Sequence, residues 1–271
     1  MITSERGVIY VVSGRQFVDE ACASATSLKR HMPELPVLLY TPEHVDHPAI
    51  DCVLTDHVSE NPDDAKAHKI ECMANSPFKR TLFLDSDTRV MGRVDELFEV
   101  LDAFALGVAH APNRLYFGDG QYPSDKEYPS NIPGCFPEMN TGVIVYNSES
   151  AAVHALFRAW RELYEEMKGI GAVRDQISFR EVLYDSDVRM MVLPPEYNCR
   201  SEFPVYLDGA VKINHARHTD SALAEQVLTK TKLRRTLHPW MFEKEPASRL
   251  RGFYRHLREQ VHVLLLPWIT P

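Results

Sequence analysis

Two aspartates one residue apart, Asp85-Ser86-Asp87, follow directly on Thr81-Leu82-Phe83-Leu84. Four strand-forming residues run straight into the carboxylates, so both stand at the carboxyl end of a strand. In open α/β sheets that is the edge at which ligands bind. Paired carboxylates there make a hard oxygen site suited to Mg2+ or Mn2+, ions that keep positions open for diphosphate oxygens. A metal so held offsets charge that builds on a departing phosphate. The tripeptide recurs as Asp185-Ser186-Asp187, but that copy follows a helical segment and precedes a strand. It reads as an α-to-β turn with no ligand. A solvated loop is the competing reading of the first copy, and strand context separates the two.

The elements that must position the pair are legible as hydrophobic pattern. Val8-Ile9-Tyr10-Val11-Val12 is a continuous β-rich run closed by Ser13-Gly14, as in strands buried on both faces of a parallel sheet. Val18 to His31 reads as a helix with Ala21, Ala25 and Leu28 on one face and Pro33 as its stop. Val37 to Tyr40 and Cys52 to Leu54 read as strands, Ala65 to Asn75 as a helix, and Arg80 to Leu84 as the strand carrying the aspartates. This β-α-β-α-β opening predicts right-handed crossovers and a parallel sheet. From Ala111 to Glu138 the chain is rich in Pro, Gly, Tyr and Asn, too long for a plain connection. Its Tyr116 to Phe136 portion is either an acceptor wall or a surface loop. A strand at Val143 to Tyr146, a helix from Ala151 to Met167, and a helix from Asp175 to Leu183 follow. Strands at Arg189 to Leu193 and Val211 to Ile213 are expected to complete the sheet.

The chain has 271 residues, 44% hydrophobic and 25% charged, the balance of a globular protein able to bury a sizeable core. A net charge of −8 excludes a general nucleic-acid binder, because polyphosphate would be repelled. Five scattered cysteines with no Cys-x-x-Cys pair fit neither a disulfide framework nor a zinc site, and point to a reducing compartment. The apolar run at Val8 is too short for a signal-peptide core or a membrane span, so a cytoplasmic protein is expected.

The ordered series of motifs resembles the glycogenin-like retaining glycosyltransferases, family 8 and its GT-A relatives. The residues are His68-Lys69-Ile70, Thr81 to Val90 around the aspartates, Val94-Asp95-Glu96-Leu97-Phe98, Met139-Asn140-Thr141-Gly142-Val143-Ile144-Val145, Asp175-Gln176 and Lys212-Ile213-Asn214-His215. The likeness covers roughly residues 7 to 218. It implies a GT-A nucleotide-diphospho-sugar transferase fold: an α/β, mainly parallel, Rossmann-like sheet flanked by helices, over residues 1–220. It implies a metal, Mn2+ or Mg2+, held by Asp85, Asp87 and His215, with His218 as the neighbouring competitor. A donor sugar nucleotide, UDP-sugar first, would meet Val12, Ser13, Lys69, Asp85, Ser86, Asn140, Thr141 and Gly142. Asp175 and Gln176 would lie at the reacting sugar as catalytic residues, with Asn198 near the acceptor. Helix N-terminal placement would by itself also explain Asp175. The acceptor would be a carbohydrate, protein or lipid-linked hydroxyl.

One departure stands out. The family pattern continues past the histidine with glycine and lysine, whereas this chain continues Ala216-Arg217-His218-Thr219-Asp220. The diphosphate contact then falls to Arg217 or to a residue between Lys230 and Arg235. His238-Pro239-Trp240 echoes the family's Pro-Trp pair much later than expected.

Residues 221–271 read as a basic, helical appendage. Leu250, Phe253, Tyr254, Leu257, Val261, Leu264 and Leu265 are interleaved with Arg249, Arg251, Arg255 and Arg258. This pattern fits either a terminal helix docked on its own domain or a second copy, or a peripheral membrane helix. Two further readings keep the fold: a sugar nucleotidyltransferase, which wants a Gly-rich phosphate loop where Ser13-Gly14-Arg15 has one glycine, and an inactive sugar-nucleotide or partner-binding module. A metal phosphohydrolase would need a further carboxylate or histidine cluster beside the pair.

Overall fold

The computed structural model describes residues 4–55, 58, 61, 64–112, 131–172, 174–217, 228–229, 235–242 and 246–269. Its centre is a seven-stranded sheet. Strands β1 (Arg6–Val11), β2 (Val37–Tyr40), β3 (Cys52–Leu54) and β4 (Arg80–Leu84) pair in parallel, in the order β3-β2-β1-β4. Beyond β4 lies β7 (Met139–Asn147), then β6 (Leu106–His110) and β8 (Met190–Leu193). β7 runs antiparallel to both of its neighbours, while β6 and β8 are again parallel.

Alternation along the strands builds two cores, because successive side chains leave a strand on opposite faces. Val8 and Tyr10 of β1 join Leu39, Leu82, Leu84, Val143 and Val145 on one face. There they meet Val18, Ala21, Ala25 and Leu28 of helix α1 (Arg15–His31). Ile9, Leu38, Phe83, Ile144 and Tyr146 face the other way, onto α2 (Ala65–Ala74), α4 (Ala151–Gly169) and α5 (Gln176–Tyr184). A short helix, α3 (Glu96–Glu99), lies between β5 (Thr88–Val90) and β6. Gly14 enters α1 at φ 94°, a left-handed conformation that favours glycine. Ser150 caps α4, its side chain accepting from the Val153 N–H.

Two small antiparallel sheets stand apart from the large one. β5 (Thr88–Val90) pairs with β10 (Ile213–His215), and β9 (Val205–Leu207) pairs with β11 (Arg235–Leu237). The late strand expected to complete the main sheet therefore does something else. It pairs across the segment that follows the aspartates, with His215 opposite Thr88. Leu228, Leu237 and Phe242 share a third core with Cys199, Leu207 and Val211. The chain ends in helix α6 (Pro246–Ile269).

Candidate active site

The site is assembled where three chain segments meet at the carboxyl edge of β4. Asp85 follows β4, and its N–H donates to Gly142 O at 2.8 Å. Because β7 is reversed, its first residues lie at that same edge, with Leu84 opposite Val143. Between β6 and β7 the register shifts at Val108/Ala109, so that Ala109 faces Asn140 while Val108 faces Ile144. The bulge frees Thr141 to Val143 from the β6 ladder and re-aims the intervening side chains. The third segment is β10: pairing of His215 with Thr88 delivers the imidazole to the aspartates.

His215 Nε2 lies 3.2 Å from Asp87 Oδ1 and 3.7 Å from Asp85 Oδ2. One ligand atom from each of Asp85, Asp87 and His215 falls within 4.8 Å of the others. Gly142 makes this possible. A Cβ there would collide with His215 Cε1 and stand 2.6 Å from Asp85 Oδ2. Burial pushes the Asp85 carboxyl up, against the opposing pull of Lys69 and His215. Burial also acts on Asp87, but the hydrogen bond and charge of His215, with Arg217 and Arg200 nearby, hold its carboxyl well below the usual range. Asp87 is thus ionised under ordinary conditions, as a ligand must be.

A directed chain of side-chain hydrogen bonds runs inward from the imidazole. His215 Nδ1 lies 2.8 Å from Asn198 Oδ1, and Asn198 Nδ2 donates to Asn140 Oδ1 at 2.8 Å. Asn140 Nδ2 donates to Gln176 Oε1 at 2.9 Å, and Gln176 Nε2 donates to Glu138 Oε1 at 2.7 Å. Asn140 Oδ1 also accepts from the Gly142 N–H at 3.1 Å. With the Asn198 oxygen facing it, Nδ1–H can donate there, the tautomer in which Nε2 would offer its lone pair to a metal held between Asp85 and Asp87. A partner on the second ring nitrogen is what orients a metal-ligating histidine. The donor set fits a divalent cation with mixed oxygen and nitrogen preference.

Beside this chain sits a buried ion pair. Lys69 Nζ is 3.0 Å from Asp175 Oδ2, 3.5 Å from Asp85 Oδ1 and 3.3 Å from Thr141 Oγ1. Thr141 Oγ1 donates to Asp175 Oδ2 at 3.2 Å. Burial disfavours both charges, yet Asp175 and Asp85 raise the Lys69 pKa, and Lys69 lowers that of Asp175. Asp175 precedes α5, but its carboxyl makes no capping bond there. Helix capping therefore does not explain it. Its carbonyl oxygen accepts from Trp160 Nε1 at 3.0 Å, which fixes the approach to α5.

The sequence-named residues thus converge in large part. Asp85, Asp87, His215, Lys69, Asn140, Thr141, Gly142, Asp175 and Gln176 form one connected cluster. Val12 and Ser13 close β1 on the neighbouring strand of the same edge, with the Val12 N–H bonded to Tyr40 O. Ser86 turns away, donating to Glu20 Oε2 of α1 at 3.0 Å. Glu20 also grips Arg217, whose Nη2 stands 4.0 Å from Asp87 Oδ2. Asn198, expected near the acceptor, has its side chain between the imidazole and Asn140. Glu138 and Arg200 were not singled out from sequence. Neither carries a local pattern, and both matter only through tertiary placement. The Asp185-Ser186-Asp187 copy lies between α5 and β8, outside the cluster, as its context predicts. His218 and residues 230–234 lie outside the described residues, as do residues 116–130 of the aromatic segment. Phe136 packs edge-on against Tyr184, with ring centroids 5.1 Å apart.

The cluster opens into a cavity of about 210 Å³ whose further walls are Ala111, Pro112, Arg174, Arg200 and Phe203. Arg200 Nε is buried there with no acceptor among the described residues, while Nη2 donates to Glu202 at 2.9 Å. No protein-family model matches this chain, and no curated protein sequence does. Solved structures do match. The bifunctional glycosyltransferase WbbM has a TM-score of 0.54 at 16% identity, over 74% of this chain and 41% of WbbM. Galactosyltransferase LgtC, solved with donor and acceptor sugar analogues, has a TM-score of 0.54 at 13% identity, over 78% of this chain and 86% of LgtC. The fold is GT-A. The glycosyltransferase GlyE of Streptococcus pneumoniae TIGR4 also matches, with a TM-score of 0.51 at 19% identity over 74% of this chain and 48% of GlyE. The chain thus spans less than half of the matched WbbM and GlyE chains. The GT-A fold agrees with the sheet and edge expected from sequence, including the largely parallel strand order.

Proposed function

We propose that this chain is a metal-dependent glycosyltransferase that moves a sugar from a nucleoside-diphosphate sugar, a UDP-sugar first among them, to an acceptor hydroxyl with retention. The observation that carries the reading is the convergence of Asp85, Asp87 and His215 on a GT-A fold, with Asn198 Oδ1 facing His215 Nδ1 and Nε2 turned toward the two aspartates. These three residues would hold Mn2+ or Mg2+, which when bound stabilises charge on the departing diphosphate. Arg217, braced by Glu20 beside Asp87, supplies a cation at the position where the family's glycine-lysine segment is missing. Lys69 and Asp175 neutralise each other, and Asp175 lines the cavity.

Retention is supported by how the remaining carboxyl groups are engaged. Asp175 is bound by Lys69 and Thr141, and Glu138 accepts from Gln176. Neither is a free base for activating an acceptor on the opposite face. Gln176, held by its amide at both ends, presents a neutral wall to the sugar. The leaving phosphate oxygen then takes the acceptor proton, and the enclosing cavity aligns the two reactants and limits water. Phe203, Pro112, Arg174 and Arg200 form the acceptor side. All five cysteines are free thiols, which supports a reducing compartment.

The test is nucleoside diphosphate release from a panel of UDP-, GDP- and ADP-sugars with Mn2+, comparing wild type with Asp87→Ala. Slow hydrolysis of one donor, abolished by EDTA and by the substitution, is the expected outcome. Absence of release from every donor, with no donor-induced rise in Tm, refutes the transferase reading.

A further inference from the structure

The last helix combines two features that the proposed transfer reaction does not use. Leu250, Phe253, Tyr254 and Leu257 of α6 are 59%, 44%, 61% and 47% exposed. At about 100° per residue these four positions fall within one face about 100° wide. The principal neighbour of α6 among the described residues is the turn Pro239–Phe242, and the ring of His256 lies 4.0 Å from that of His238, the residue just before this turn. The face is apolar and turned to solvent.

Charge flanks that face on both sides. Arg251 and Arg258 lie along one border, with Arg255 just beyond, and Arg249 along the other. No carboxylate among the described residues pairs with any of the four. Arg251, Arg255 and Arg258 are exposed. The chain as a whole carries −8, whereas α6 holds four arginines and a single acidic residue, Glu259. In the sequence the apolar spacing repeats at Val261, Leu264, Leu265 and Trp268. No helix among the described residues is long and apolar enough to cross a membrane.

From this we infer that α6 is an interfacial helix that seats the protein on an anionic lipid surface. Its apolar face enters the headgroup boundary while the flanking arginines meet lipid phosphates, the arrangement of a helix that lies on a bilayer rather than across it. A purely hydrophobic docking face would not call for arginines without a carboxylate partner among the described residues on both borders, and an anionic surface does. The inference does not depend on the donor chemistry, because lipid binding is read without turnover.

The experiment is co-sedimentation of the full chain with phosphatidylcholine vesicles, with and without phosphatidylglycerol. Binding to the anionic vesicles alone, released by high salt, is expected. Leu250→Glu with Leu257→Glu abolishes it, and Arg251→Gln with Arg255→Gln weakens it about tenfold or more. Both variants keep the wild-type Tm and donor hydrolysis, since these side chains are exposed and outside the cleft. No sedimentation with either vesicle overturns the inference. So does an apolar-face variant that still binds, or a dimer by light scattering that the same variant breaks without any lipid affinity.

Discussion

Adding one methyl group at Gly142 tests how tightly the site is held together. The Cβ of Gly142→Ala would overlap His215 Cε1, and would stand 2.6 Å from Asp85 Oδ2 and 2.8 Å from His215 Nδ1. Ordinary carbon contacts begin near ~3.5 Å, so the imidazole and carboxylate must retreat by roughly 1 Å. Neither can move alone. His215 is fixed by Asn198 and by the β5–β10 ladder, and the Asp85 N–H is tied to Gly142 O itself. Overpacking of this kind costs about 1–3 kcal/mol. For a chain of this size that lowers Tm by roughly 2–4 °C per kcal/mol. Disturbing the ligand geometry weakens metal binding about 10–100-fold. A misplacement of about 1 Å also removes on the order of 100-fold in turnover. The assay is Mn2+ titration by calorimetry alongside donor hydrolysis and thermal unfolding, with Gly209→Ala as control because its Cβ would meet nothing within 4 Å. A Gly142→Ala protein that binds Mn2+ and hydrolyses donor like wild type would show that His215 and Asp85 do not pack on this glycine.

Asn198→Ala removes the partner of His215 Nδ1 and leaves Asn140 Oδ1 with the Gly142 N–H alone; Mn2+ affinity drops about 10–100-fold with the fold intact, read by titration and circular dichroism. Lys69→Met leaves Asp175 buried without its cation and destabilises the metal-free protein by about 3–5 kcal/mol, while Asp175→Asn in the same chain recovers part of the loss in denaturant titration. The pair also sets a pH signature in EDTA. Asp175 has a depressed pKa, so its contribution is present above the unfolded value and is lost as pH falls through the folded pKa, in the acid range. Lys69 has a raised pKa, so its contribution is present below about pH 10 and is lost only above. In the wild type this pair therefore gains nothing from acidification; Asp85, with its raised pKa, contributes a rise in both proteins, and in Lys69→Met the buried Asp175 carboxyl also prefers its proton, so stability rises more steeply as pH falls from neutral. Equal slopes in the two proteins would mean that the ion pair is not formed.

Much of this arrangement was legible in residue pattern, and what was missed has a common cause. Runs such as Val8 to Val12 and Val37 to Tyr40 announce strands because burial on both faces leaves them continuously apolar. Their observed limits, Arg6–Val11 and Val37–Tyr40, differ by at most two residues. Asp85, Asp87 and His215 could be grouped before their geometry was known because the first two share a strand end and the third sits in a recurrent order of motifs. Strand β6, Leu106-Gly107-Val108-Ala109-His110, escaped notice because Gly and Ala dilute a short run. The pairing of β10 escaped because strand propensity carries no record of its partner. Asn198 and Glu138 illustrate the deeper limit. Each is a polar residue whose role is fixed by a side chain at least 17 positions away, Asn198 by His215 and Glu138 by Gln176.

The reversal of β7 joins the two halves of the site. Parallel strands send all their carboxyl ends to one edge, which is how β1 and β4 bring Val12 and Asp85 together. Asn140, Thr141 and Gly142 begin their strand, so in a parallel arrangement they would stand at the opposite edge, a full strand length from Asp85. Running β7 backwards between β4 and β6 places those first residues against Asp85 and allows the Asp85 N–H to Gly142 O bond. The bulge opposite Val108/Ala109 then turns Thr141 toward Lys69 and Asp175 while Asn140 reaches Gln176 and Asn198. One antiparallel strand thus carries the contacts linking Asp85 and His215 to the wall of the cavity. Disturbance at Asn140 should accordingly reach His215 through Asn198, so Asn140→Ala weakens Mn2+ binding although Asn140 is no ligand. Unchanged affinity in that variant would separate the amide chain from the metal site.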